Sequence, residues 1–283
     1  MTPSEIYLKL IHYKGENVYE KYFKLWINRY QGLPNVICTN KDKRFSPEFC
    51  HFSICANEVL KSLNHVKVYI PLNPTFIRYG VTKIFDFLIK NNIKQISKVA
   101  KTERKDEIVI RLLNVNDAKA LIDFINEDPY LKRGLTTSLD YAFKYKNVAL
   151  AYDGSLSYNV VISRLIYLFQ KSDIKDFGTF LKNLYNKIFI ENINNIKQIP
   201  YINEYENHEL LDFKNILTLL INMPKNIDEF EELFLKTVDP ENYKKELASL
   251  KPQKNILEET PEETVQRIYE EEVQRFAKMS KKE

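Results

Sequence analysis

Glycine is scarce in this chain, six in 283 residues. That excludes a glycine-rich phosphate cradle, which needs several residues free to take positive φ and to let backbone amides approach the ligand. The Walker pattern, Gly-x-Gly-x-x-Gly, HExxH and Gly-x-Ser-x-Gly are all absent. Phosphate, if bound, must be bound by side-chain cations. Cysteine is scarce too: Cys38, Cys50 and Cys55 are an odd count without convincing metal spacing. Cys50-x4-Cys55 with His51 is a zinc echo that nothing downstream completes, so reduced, partly buried thiols are expected. No apolar run is long enough to span a bilayer. The N-terminus lacks the basic-then-apolar order of a signal peptide. A soluble, cytoplasmic protein with no membrane partner is expected.

Apolar residues are plentiful at 44%, with 13% aromatics, which argues against global disorder. A chain of this length holds one large or two medium units and can bury its core without staples. The formal charge is +4. Residues 255–283 hold five Lys/Arg against eight Asp/Glu, a net of −3, so the rest carries +7. A mildly basic body suits a phosphate-bearing partner without demanding nucleic acid.

The most informative stretch is 66–153. Residues 66–70 alternate: Val66, Val68 and Ile70 share one face, Lys67 and Tyr69 the other. Residues 96–101 and 107–112 bracket a charged turn, and 148–152 form a fourth strand candidate. Helical patterns fill 76–90 and 117–126, the second with Asp117 as N-cap. The order β-α-β-β-α-β is the split-βαβ, ferredoxin-like arrangement. The expected fold is α+β, with this sheet flanked by N-terminal and C-terminal helical regions. Helical covering of one sheet face leaves the other free to act.

The expected divisions are a mostly helical region at 1–65, the α+β core at 66–153, a helical region at 154–251, and a linker with a charged helix at 252–283. Within the first, an aromatic stripe at Tyr19, Tyr22, Phe23, Trp26 and Tyr30 predicts a packed helix over 4–30. Ser46-Pro47-Glu48 resembles a helix start, and 49–63 either continues it or turns extended at Phe52-Ser53-Ile54. Residues 130–146 predict a long polar-aromatic connection carrying Lys132 and Arg133. Thr260 is the expected N-cap of the last helix.

Lys67, Lys98, Arg104 and Arg111 are the cations this sheet can gather. In the ferredoxin-like order the first and third strands are central neighbours, so the Lys67 face meets Val109 and Arg111. A guanidinium at Arg104, in the hairpin turn, can grip phosphate bidentately. The plainer account is a solvated hairpin whose charges discourage edge pairing. A Lys-x-Tyr in a central strand still needs an open or ligand-bearing face, because burying an unpaired ammonium is costly.

Residues 66–112 resemble the core of the phosphothreonine lyase group, which includes type III effector lyases and the lyases of lanthipeptide and thioamitide biosynthesis. Lys67-Val68-Tyr69 stands where that group has Lys-x-His or Lys-x-Tyr. Lys98-Val99 stands at its lysine before an apolar residue, and Arg104 to Ile110 at its basic residue and following strand. The likeness covers about fifty residues, as this order and spacing count them, and Tyr69 departs from the histidine of the effector members. It implies β-elimination of phosphate from phosphothreonine or phosphoserine in a peptide or protein, with no cofactor and no metal. Lys98 would be the base. Lys67 and Arg104 would hold phosphate, Arg133 would add a contact, and Tyr69 would orient or protonate the leaving group. The alternative is a non-enzymatic accessory or mobile-element protein that binds single-stranded nucleic acid or a protein through its basic face.

Overall fold

A computed structural model describes residues 1–40, 48–62 and 64–238, together with Glu241 and Lys245. The chain divides into two compact units, residues 7–151 and residues 1–6 with 152–283. The expected linker and helix at 252–283 lie outside the described residues.

The 7–151 unit is built on β1 (Val36–Thr39), β2 (Phe49–Ile54), β3 (His65–Ile70), β4 (Gln95–Ala100), β5 (Ile108–Leu112), β6 (Phe143–Tyr145) and β7 (Val148–Asp153). The sheet order is β1-β2-β4-β5-β3-β7-β6. Its middle, β4-β5-β3-β7, is the split-βαβ arrangement of an α+β fold. Antiparallel ladders set the register: Lys67 opposes Arg111, and Val109 opposes both Tyr69 and Lys98.

One face of this sheet is aliphatic. Val66, Val68, Ile70, Ile108, Ile110 and Leu112 are fully buried. Helix α4 (Ile77–Lys90) covers it, with Phe85 stacked on Phe52 of β2 at 3.9 Å. Helix α5 (Val115–Glu127) lies beside α4 through a Phe87–Phe124 stack at 4.3 Å. The aromatic stripe near the N-terminus packs as expected: Trp26 and Tyr30 of α2 (Glu20–Tyr30) meet the Phe85 ring edge-on.

Three local expectations need correction. Helix 4–30 is two helices, α1 (Pro3–Leu10) and α2, and the segment between them pairs Asn17 with Thr102. Of the two alternatives for 49–63, the extended one holds over strand β2. Cys50, Phe52 and Ile54 feed the aliphatic face while Phe49, His51 and Ser53 feed the other, and pairing with β4 satisfies a backbone that a helix start would have used locally. The Ser46-Pro47 helix start lies outside the described residues. The 130–146 connection contains helix α6 (Pro129–Gly134), because Asp128 accepts hydrogen bonds from Tyr130 N (2.8 Å) and Leu131 N (2.9 Å). The cap of α5 is Asn114 rather than Asp117: its side-chain oxygen accepts from Asp117 N at 2.8 Å.

The other unit is helical after the end of β7: α7 (Tyr158–Gln170), α8 (Phe177–Tyr185), a π turn and a 3-10 turn, α9 (Asn207–Ile221) and α10 (Ile227–Val238). The buried Asp212 carboxylate pins its entry, accepting from Tyr152 OH (2.9 Å), Leu156 N (3.3 Å) and both donors of Ser155. Gly154 is required there, since a Cβ would meet that carboxylate.

Candidate functional site

The second face of the sheet carries the predicted cations. By the two-residue period Lys67 and Tyr69 of β3, Val109 and Arg111 of β5, Lys98 of β4, and Phe49 and His51 of β2 all leave on that side. Lys67 and Tyr69 are only 4% and 3% exposed. This face is therefore not open along its whole length, as alternation alone suggests, but buries charge.

The Lys98 ammonium sits 4.3 Å from the Phe49 ring centroid, and the Arg104 guanidinium lies 5.1 Å from the same ring. One aromatic face thus gathers two cations from different segments, a cation–π arrangement. Arg104 is also held by Asp106, Nε to Oδ1 at 2.6 Å, and by a hydrogen bond with Tyr7. Burial and Asp106 push the Tyr7 hydroxyl above its ordinary range.

Lys98 has the altered chemistry. Burial, then the positive charges of Lys67, Arg111 and Arg104, bring its pKa down from 10.5 to about 8, opposed by Asp106. A lysine with that value holds a reactive fraction of free amine near neutrality. Lys67, Arg111 and Arg104 bring positive charge to the surroundings of Lys98, opposed by Asp106.

The structure thus brings Lys67, Tyr69, Lys98 and Arg104 to one region. Arg133 is exposed on α6, whose Tyr130 meets Phe76, just before α4, at 4.8 Å. The carbonyl of the next residue, Gly134, accepts from Asn73 N, which borders the cleft beside Arg104. Three residues near these cations were not named from the sequence. His51, the register partner of Lys98, and Phe49 lie in the segment whose helical and extended alternatives the sequence left open. Their signal was the Phe49-His51-Ser53 alternation. Glu107 stood unnoticed beside the Arg104-Lys105-Asp106 run.

Next to Arg104 opens a cleft of ≈ 330 Å³, bordered by Leu72, Asn73, Glu107, Thr136 and Thr137 among others. A larger cavity of ≈ 460 Å³ lies in the other unit between α9 and α10, lined by Tyr152, Thr218, Phe230 and Phe234 among others. No group of His, Cys, Asp and Glu suited to a metal occurs among the described residues. No helix among them is long and apolar enough to cross a membrane.

No family model matches this chain, and no curated protein does. Among solved structures, an effector protein from Pseudomonas syringae pv. syringae strain 61 is similar at 12% identity and a TM-score of 0.43, over 64% of this chain and 84% of that one. A likeness at that level carries no argument about activity.

Proposed function

We propose that this protein removes phosphate from phosphothreonine or phosphoserine in a peptide or protein by β-elimination, leaving a dehydroamino acid. The observation that carries the proposal is the lowered pKa of Lys98 among Lys67, Arg111 and Arg104. Elimination needs a base that is partly neutral at working pH and cations that stabilise departing phosphate. The same positive charges serve both needs. The resemblance of residues 66–112 to the phosphothreonine lyase group supports the same activity.

In this scheme Lys98 Nζ takes the α-proton. The electron pair of that C–H bond becomes the Cα=Cβ double bond, and the Cβ–O bond to phosphate breaks. Lys67, Arg111 and Arg104 hold the phosphate oxygens. Arg104 enters already oriented by Asp106 and the Phe49 ring. Tyr69, beside Lys67 on β3, orients the leaving group.

The test is incubation of the full chain with a panel of phosphothreonine and phosphoserine peptides, read by mass spectrometry. Loss of phosphoric acid with a dehydroamino acid remaining is the expected outcome. Hydrolysis to threonine, or no change across the panel, refutes it. Salt-sensitive binding of oligonucleotides without elimination would transfer the cationic face to nucleic-acid binding.

A further inference from the structure

We infer that Glu107 is the acid that protonates the departing phosphate, an assignment that rests on the proposed elimination. Glu107 stands immediately before β5, and the strand period places it at the end of the Lys98 face. Its carbonyl oxygen accepts from Ala100 N at 2.7 Å, so the ladder with β4 continues through it. Val109 opposes both Lys98 and Tyr69. Glu107, two residues earlier, is the diagonal neighbour of both, and such neighbours lie roughly 7–8 Å apart, within reach of long side chains. One substrate can therefore reach the base with its α-carbon and the acid with its phosphate.

The carboxyl is 2% exposed and lines the cleft together with Arg104. Its two oxygens are unequal. Oε1 accepts a short hydrogen bond from Leu72 N at 2.7 Å. Oε2 accepts only longer hydrogen bonds, from Tyr19 OH at 3.3 Å and Arg104 N at 3.4 Å. The weaker bonds at Oε2 make it the oxygen that takes a proton at the smaller cost. Burial raises this carboxyl to about 8 against the opposing pull of its hydrogen bonds, and Glu103 adds to the rise.

The surrounding charges leave the acid form in place. Tyr19 reaches Glu107 from α2 as a neutral hydroxyl, its own pKa raised by burial and by Glu107. Lys14, across the cleft from the segment before α2, is bound to Glu103. Arg104 is bound to Asp106, and Lys105 lies 3.4 Å from Asp140. His12 completes the titratable groups bordering the cleft, with Lys98 on β4 and Tyr69 on β3 along the same face.

The step balances. As Lys98 gains the α-proton and the Cβ–O bond breaks, the Oε2 proton passes to the former ester oxygen and hydrogen phosphate leaves. Lys98 ends as ammonium and Glu107 as carboxylate, and exchange with water restores both. Lys98 must be neutral and Glu107 protonated, which both hold in only a narrow band around pH 8.

The test is the rate of phosphate loss from a phosphothreonine peptide between about pH 6 and 10, in the wild-type chain and in Glu107→Gln, with peptide affinity measured alongside. Gln preserves an acceptor for Leu72 N and cannot donate a titrating proton. The wild-type profile is expected to be a bell near pH 8. Glu107→Gln is expected to be roughly 10²–10³-fold slower near neutrality, without the alkaline limb and with unchanged affinity. Glu107→Asp should recover part of the rate and the limb. An alkaline limb kept in Glu107→Gln at near wild-type rate overturns the assignment and leaves the elimination standing. Absence of elimination by the wild-type chain removes both. If Glu107→Gln loses affinity, a Glu107→Asp that binds peptide but lacks both rate and limb also overturns it.

Discussion

Along β3 the two faces of the sheet are almost equally hidden and chemically opposite. On β3, Val66, Val68 and Ile70 are fully buried, while Lys67 and Tyr69 between them are only 4% and 3% exposed. The aliphatic face meets α4 and gains what apolar burial gives, about 25 cal/mol per Å² removed from water. The other face holds buried Lys67 and half-buried Lys98 and Arg111, and withdrawing these charges from water costs free energy. Burial alone therefore does not separate core from site. Charge retained in spite of burial does, because gathering like charges costs the fold free energy.

The largest expected difference between the faces is in chemistry. Lys98→Ala should abolish phosphate elimination, measured by mass spectrometry, because it removes the base. Lys67→Ala, Arg104→Ala and Arg111→Ala should each slow it by roughly 10²–10³ by weakening the hold on departing phosphate. Elimination retained in Lys98→Ala would break the comparison on this side.

On the aliphatic side the effect should be on stability. Phe85 is fully buried against Phe52, Trp26 and Tyr30. Phe85→Ala should cost about 3–5 kcal/mol in denaturant unfolding, with phosphopeptide affinity unchanged in the fraction that stays folded.

The opposite sign is expected at Lys98. A pKa brought from 10.5 to about 8 means its charge costs the fold about 3 kcal/mol at neutral pH. The native state binds its proton more weakly than the unfolded chain. The penalty is therefore complete below pH 8 and disappears above 10.5, so wild-type stability should rise across that window. Lys98→Met should remove the rise and be the more stable protein near neutrality. Glu107 works in the other direction: its raised pKa makes stability fall between pH 4.5 and about 8. Glu107→Gln should flatten that slope in pH-dependent unfolding.

The smallest effect is expected at Arg133, exposed on α6. Arg133→Ala should change the elimination rate by less than about twofold and stability by less than about 0.5 kcal/mol. A larger loss of rate would return α6 to the site.

Much of this was legible in the sequence where a local period decided the structure. Val66-Lys67-Val68-Tyr69-Ile70 gave a strand and two faces directly, and the second and third strands fell into place around the charged turn. Lys67 and Tyr69 were named from that alternation, Arg104 from the charged turn, and Lys98 as base from the resemblance to the lyase group. Strand β2 was legible only as one of two alternatives, because a helix-start pattern precedes it and pairing with β4 decides for the extended form. That left His51 and Phe49 unnamed. Glu107 was not legible because its chemistry comes from burial and from Leu72 N and Tyr19, which are far away in sequence. The helix that carries Arg133 was not legible because its Asp128 cap lies beside a proline that reads as a break.

The central claim, that the buried polar face is a site built around a partly neutral lysine, is tested most directly by titrating Lys98 itself. Its side-chain NMR signal, assigned by its loss in Lys98→Arg, should move with a midpoint near pH 8. Inorganic phosphate bound beside it should raise that midpoint, since an anion favours the ammonium form. A midpoint at the ordinary 10.5, unmoved by phosphate, would contradict the account.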